Sequence, residues 1–170
     1  LLSSISQGDK KLAMQIIRLS ESTPELVIAE MAAFWQRGEL VVYPTETCYG
    51  VGVDATSPLA VEKLLRYKSK RADKPLSIAV SDKAMAEKYA EFNPTAHNIF
   101  DNYLPGPITV VSGGRNNLAS GVPSAYGTVG LRLPDYPLIR QAVARFGRPV
   151  TATSANVSYK KNPYCLADIL

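Results

Sequence analysis

The stretch Glu39-Leu-Val-Val-Tyr-Pro-Thr-Glu-Thr-Cys-Tyr-Gly-Val-Gly-Val-Asp54 constrains this chain more than any other. Leu40 to Tyr43 is a short apolar, β-branched run without helical period, which predicts a buried strand. Pro44 ends that strand, because it has no N–H for a ladder and biases Tyr43 toward an extended conformation. Thr45, Glu46, Thr47 and Cys48 follow at the strand's carboxyl end, where open α/β sheets bind ligands. Gly50 and Gly52 then let the backbone come close to a neighbour. The same pattern also fits a polar turn between two strands, so the rest of the chain has to decide.

Helix starts and short strands alternate along that rest. Ala13 to Leu19 reads as a strand or a helical turn, with the strand favoured. Thr23-Pro24-Glu25 is a capped helix start with proline at its first position and an acid at the positive end of the dipole. Leu26, Met31, Phe34 and Trp35 supply its apolar face, and Gly38 closes it. Trp35 is read as core packing. Val51 to Asp54 is a short strand, and Ser57-Pro58 opens a helix buried through Val61, Leu64 and Leu65. Leu76 to Val80 is a strand, Ser81-Asp82 caps a helix through Glu91, and Pro94 starts one running to Tyr103. Ile108 to Ser112, Thr128 to Leu133 and Pro149 to Thr153 are strands, with a helix from Pro137 to Phe146. The alternation gives an α/β class.

At 170 residues the chain is one domain by length, and 46% hydrophobic with 20% charged content excludes a disordered protein. The domain is expected to run over 10–170, with 1–9 frayed and a helix cut short at Leu166 to Leu170. No apolar run approaches a membrane span and no signal peptide is visible. Cys48 and Cys165 have no metal or redox spacing, so the expectation is a cytoplasmic protein with reduced thiols and no membrane partner. The net charge is +4. Its distribution matters more: Lys63, Arg66, Lys68, Lys70, Arg71 and Lys74 crowd one segment against Asp73 alone.

Three motifs carry candidate chemistry. Lys68-Ser-Lys-Arg-Ala-Asp-Lys-Pro75 spaces cations as a polyphosphate would need, although a solvated helix end would look the same. It is not a Walker loop. Thr151-Ala-Thr-Ser-Ala-Asn156-Val-Ser158 leaves a strand with hydroxyls and an amide, suited to phosphate oxygens or to a simple turn cap. Thr128-Val-Gly-Leu-Arg132-Leu-Pro134 puts an arginine at the exit of an apolar strand, where it needs an anion. Asp135 or Asp54 would serve, and so would a substrate carboxylate held by two parallel bonds. His97 is the only histidine, and no nucleophile–base pair, paired catalytic carboxylates or metal cluster is visible. The chemistry is therefore expected to rest on holding substrates and neutralising charge, with no covalent catalytic residue.

Together these segments resemble the YrdC/TsaC-type family of L-threonylcarbamoyladenylate synthases. The matching blocks are Tyr43 to Gly52, Lys68 to Leu76, Leu104 to Thr109, Thr128 to Pro134 and Thr153 to Ser158. The resemblance implies a single α/β domain with a twisted mixed sheet, flanking helices and a basic concave face. It implies a nucleotidyltransferase that makes threonylcarbamoyl-AMP and pyrophosphate from L-threonine, bicarbonate and ATP with Mg²⁺. The product would feed a tRNA-threonylcarbamoyl transferase complex that modifies adenosine 37 of tRNA, and the basic face would be available to RNA.

By motif position, the resemblance implies that Thr47 contacts threonine, Arg132 pairs with its carboxylate and Ala152 adds backbone contacts. Thr45 and Tyr49 would shape the threonine pocket. Lys68, Lys70 and Lys74 would hold ATP phosphates, while Thr128, Ser154, Asn156 and Asn162 would bond the nucleotide. No metal ligand is implied from protein side chains alone. The chain departs from the family at Lys70, often arginine; at Ala79, often histidine; and at Tyr159-Lys-Lys, where glycine is usual. Two other readings fit the residues: an RNA-binding module that makes no adenylate, and the nucleotide-binding domain of a carbamoyltransferase.

Overall fold

A computed structural model of the chain describes residues 2–3, 14–68, 74–156 and 161–169. The strand expected at Leu40 is β3 (Leu40–Tyr43), following β1 (Leu2–Ser3) and β2 (Met14–Gln15). Next come β4 (Gly50–Gly52), β5 (Ser77–Ala79), β6 (Val110–Gly113), β7 (Thr128–Arg132) and β8 (Val150–Ser154). They form one mixed sheet in the order β2-β1-β3-β4-β8-β5-β7-β6, and only β5 and β7 run parallel. β8 is central, pairing with β4 on one side and β5 on the other. Leu2 and Ser3 lie in the segment expected to fray, yet they pair with Val41 and Leu40, because β3 offers an open edge there.

The helices begin where their capping residues predict. Thr23, Ser57, Asp82 and Asn93 accept the backbone N–H three residues on, opening α1 (Pro24–Gln36), α2 (Pro58–Tyr67), α3 (Lys83–Tyr89) and α4 (Pro94–Tyr103). The fifth helix, α5 (Pro137–Phe146), ends on Gly147 in the left-handed region. The buried face of α1 is Val27, Ile28, Met31, Phe34 and Trp35; Leu26 points to solvent, one position off the stripe expected for it. Among the described residues no helix is long and apolar enough to cross a membrane.

Trp35 is fully buried, as its place in the pattern suggests. Its ring meets Tyr43 edge-on at 6.3 Å and tilts against Phe146 at 5.7 Å, tying α1 to β3 and α5. Its indole N–H donates to the Gly52 carbonyl at 3.1 Å. The Tyr43 ring lies over β4 and explains both glycines there. A Cβ on Gly50 would stand 2.9 Å from that ring, and one on Gly52 2.5 Å from the Thr151 carbonyl. Along β7, Val129 and Leu131 are buried while Thr128, Gly130 and Arg132 alternate onto the more open face. Register sets Gly130, Ser77 and Ala152 side by side on that face, so small residues floor it.

Candidate active site

Where β3 ends and β8 ends, a cavity of about 310 Å³ opens, lined by Tyr43, Thr45, Thr47 and Cys48 of the turn, by Gly50, Arg132 and Pro134, and by the segment Ala152–Ser154 with Asn162. The turn is organised by one hydroxyl. Thr45 Oγ1 donates to the Cys48 carbonyl at 2.7 Å and accepts from the N–H groups of Thr47 at 3.2 Å and Cys48 at 3.3 Å. Proline at 44 frees the chain from the ladder just where this local ring of bonds takes over. Thr47 is left exposed on the cavity wall.

Arg132 enters the cavity from the end of β7 and finds its anion in Glu46, with Nη2 to Oε1 at 2.8 Å. This is a correction: Asp54 is nearly buried and is taken by Arg148 at 3.1 Å and by the N–H and hydroxyl of Thr56. Arg132 and Glu46 are both largely shielded, with 21% and 16% of the side chains exposed, so the pair sits in a poorly screened setting. A single bond to Glu46 leaves further guanidinium N–H groups for a ligand anion. Glu46 is the neighbour of Arg132 that sequence reasoning did not place at the site. The signal was present: an arginine at a strand exit needs an anion, and a carboxylate stood within the very turn judged to bind ligand. Burial drives the Tyr43 phenol above its ordinary range, opposed by Arg132 nearby and reinforced by Glu46 and Cys48, so the wall it forms stays neutral.

The nucleotide-side residues are distributed differently. Lys68 is 2% exposed and turned inward, donating from Nζ to the carbonyls of Ser154 at 2.7 Å and Asn156 at 2.5 Å. It braces the end of β8, where a phosphate-holding role had been expected. The Ser154 hydroxyl donates to Asn156 Oδ1, closing the same knot. Ser154 and Asn162 line the cavity, whereas Asn156 is buried and does not. Thr128 shares a 2.7 Å hydroxyl–hydroxyl bond with Ser124 and stands outside the cavity wall. Tyr49 is also apart: it lines a second, apolar cavity of about 430 Å³ with Ile17, Met31, Leu138 and Leu166. Lys74 is exposed. Lys70 and Arg71 lie outside the described residues. Of the other cations in this segment, Lys63 donates to the Gly38 carbonyl at 2.9 Å and Arg66 pairs with Glu62 at 2.6 Å. Among the described residues no group of three or more His, Cys, Asp or Glu side chains could hold a metal ion.

A family model for Sua5, YciO and YrdC proteins, described as telomere recombination, matches residues 33–170. A Methanocaldococcus jannaschii protein, provisionally named threonylcarbamoyl-AMP synthase, is 35% identical over 162 residues, covering 95% of this chain and 76% of its own. The Bacillus subtilis threonylcarbamoyl-AMP synthase is 33% identical over 144 residues, covering 84% of this chain and 42% of its own. The crystal structure of Pyrococcus abyssi Sua5 complexed with L-threonine superposes with a TM-score of 0.80 at 29% identity, over 86% of this chain and 43% of that one. The chain thus spans less than half of the Bacillus and Pyrococcus proteins. By its ordered motifs, its sheet and the model that covers most of its length, the chain belongs to the Sua5/YciO/YrdC family.

Proposed function

We propose that this chain is a threonylcarbamoyl-AMP synthase that joins L-threonine, bicarbonate and ATP into L-threonylcarbamoyladenylate and pyrophosphate. The observation that carries the reading is the meeting of Arg132, Thr47 and the end of β8 around one cavity. The threonine carboxylate pairs with the free edge of the Arg132 guanidinium, whose direction Glu46 fixes. Thr47 and the Ala152–Ser154 backbone bound the rest of the amino acid. Threonine's amine and bicarbonate condense to a carbamate with loss of water. A carbamate oxygen then attacks the α-phosphorus of ATP, and pyrophosphate leaves.

The protein's task in this reaction is alignment in a partly water-excluded site, with charge neutralisation at the departing phosphates. Ser154 and Asn162 face the nucleotide from the cavity wall, with Lys68 and Asn156 holding that wall from behind and Thr128 farther along the sheet face. Lys70 and Lys74 belong to the segment nearest Lys68 and supply the phosphate charge. Mg²⁺ would be held chiefly by the phosphates of ATP and would share the charge of the leaving group. The product serves a tRNA-threonylcarbamoyl transferase complex in the cytoplasm, for adenosine 37 of tRNA.

The test is pyrophosphate release from ATP, Mg²⁺ and bicarbonate, with and without L-threonine. Threonine-dependent release that Arg132→Ala abolishes is the expected result. ATP binding without any threonine dependence would overturn the reading.

A further inference from the structure

Beside the cavity, the floor of the sheet carries a hydroxyl that is not spent on the fold. In register, Ser77 of β5 stands between Ala152 of β8 and Gly130 of β7, and Ala152 lines the cavity. Side chains of paired residues share a face, so Ser77 rises from the floor one strand in from Ala152. Gly130 makes room for it: a Cβ there would stand 2.6 Å from Ser77 Oγ and would displace the hydroxyl. Ser77 is half-buried, and among the described residues no hydrogen bond engages its Oγ. Its proton is therefore available to a ligand.

Position along the sheet says which ligand group that is. Two residues past Gly130 on β7 comes Arg132, on the cavity, and two residues before it comes Thr128, toward the nucleotide side. At a strand rise of roughly 3.3 Å per residue, Ser77 lies about 7 Å along the strand direction from each. Between an amino acid anchored on Arg132 and a nucleotide reaching toward Thr128 lies the one-carbon unit, which joins the amine on one side and the α-phosphorus on the other. As bicarbonate and as carbamate that unit is an anion whose oxygens need donors.

We propose that the Ser77 hydroxyl is the donor that seats the bicarbonate oxygens and then the carbamate, with Gly130 as the positioning residue that keeps it in place. This rests on the synthase reading of the cavity. When the neutral amine bonds to the bicarbonate carbon, water leaves and the negative charge stays on the carbamate oxygens, so one donor serves before and after. Holding one oxygen turns the other toward the α-phosphorus.

The experiment measures pyrophosphate release by the full chain as bicarbonate is varied at saturating L-threonine and Mg²⁺–ATP, beside calorimetric binding of L-threonine and of ATP. Ser77→Ala should raise the KM for bicarbonate about tenfold, the loss of one hydrogen bond to a charged group. Its affinities for L-threonine and ATP should stay unchanged, and Ser77→Thr, which keeps a hydroxyl, should restore the KM. Gly130→Ala should mimic Ser77→Ala, and the double variant should be no worse than either, because the methyl acts only through the hydroxyl. An unchanged bicarbonate KM in Ser77→Ala overturns this proposal alone. So does a loss that falls on ATP or L-threonine affinity, which assigns the hydroxyl to that ligand. If the unaltered chain shows no threonine-dependent release, the functional reading falls and the proposal with it.

Discussion

The two walls of the cavity are held in opposite ways. The Thr45–Cys48 turn is organised by bonds that span two or three residues, all on Thr45 Oγ1, plus one ion pair to Arg132. The Ser154–Asn156 wall is held by Lys68, whose bonds to the Ser154 and Asn156 carbonyls span 86 and 88 residues. The hydrogen bonds of the first wall are local and its ion pair to Arg132 reaches 86 residues along the chain, whereas the second wall is held from the end of a distant helix. A locally supported wall can change its ligand contacts without disturbing the fold. A wall that borrows its support couples site geometry to global stability.

Lys68→Met tests that contrast most severely. It keeps the buried stem but leaves two carbonyls without their charged donor, and should cost about 3 kcal/mol of stability. A urea titration followed by circular dichroism reads it, and unchanged stability would erase the distinction between the walls. Arg132→Ala should act on binding: L-threonine affinity falls by roughly a hundredfold while ATP affinity holds, as titration calorimetry of each ligand would reveal. Equal losses for both ligands would mean that the local wall is not independent. Gly52→Ala strikes the strand between the walls, where the new methyl meets the Thr151 carbonyl. It should destabilise by about 2 kcal/mol, visible as a lowered melting temperature.

The smallest effect concerns pH. Asp168 accepts from Lys161, the Cys165 thiol and the Tyr164 and Cys165 N–H groups, and these bonds hold its carboxyl down at about 2 from the usual 3.8. A depressed carboxyl contributes stability above its unfolded value and loses it as pH falls through the folded one. The turn from Tyr164 to Asp168, and the neighbouring Asn162, should therefore keep their amide shifts at pH 4 and lose them only toward pH 2. Loss of those shifts between pH 5 and pH 4 would contradict this.

The same contrast explains what was legible in the sequence. Capping residues and prolines signalled the starts of the helices, because the determinant lies within three residues of the start. Pro44 and the hydroxyls after it marked the turn for the same reason. Arg132 was legible as an arginine in need of an anion, but which anion depends on how β7 and the turn meet, and Asp54 had as good a claim until Arg148 was seen to hold it. Lys68 looked like a phosphate ligand, because spacing along a helix end reports charge and not direction. The direction comes from the fold, which sets the end of β8 within reach of that side chain. Tyr49 illustrates the other limit: its motif neighbours face the cavity, and a single change of side at the turn sends its ring to the apolar cavity beyond.

β8 comes last in sequence among the described strands and lies in the middle of the sheet. Among the described strands it alone pairs with both halves, through Gly50 and Val51 on one side and Ser77 to Ala79 on the other. During synthesis the two ladders accordingly remain unjoined until residue 154 has left the ribosome, although α1 and α5 can already pack. The segment that completes the sheet, Ala152–Ser154, is also a wall of the cavity. A chain cut before β8 lacks this wall of the cavity, so binding that needs both walls reports that β8 has been inserted.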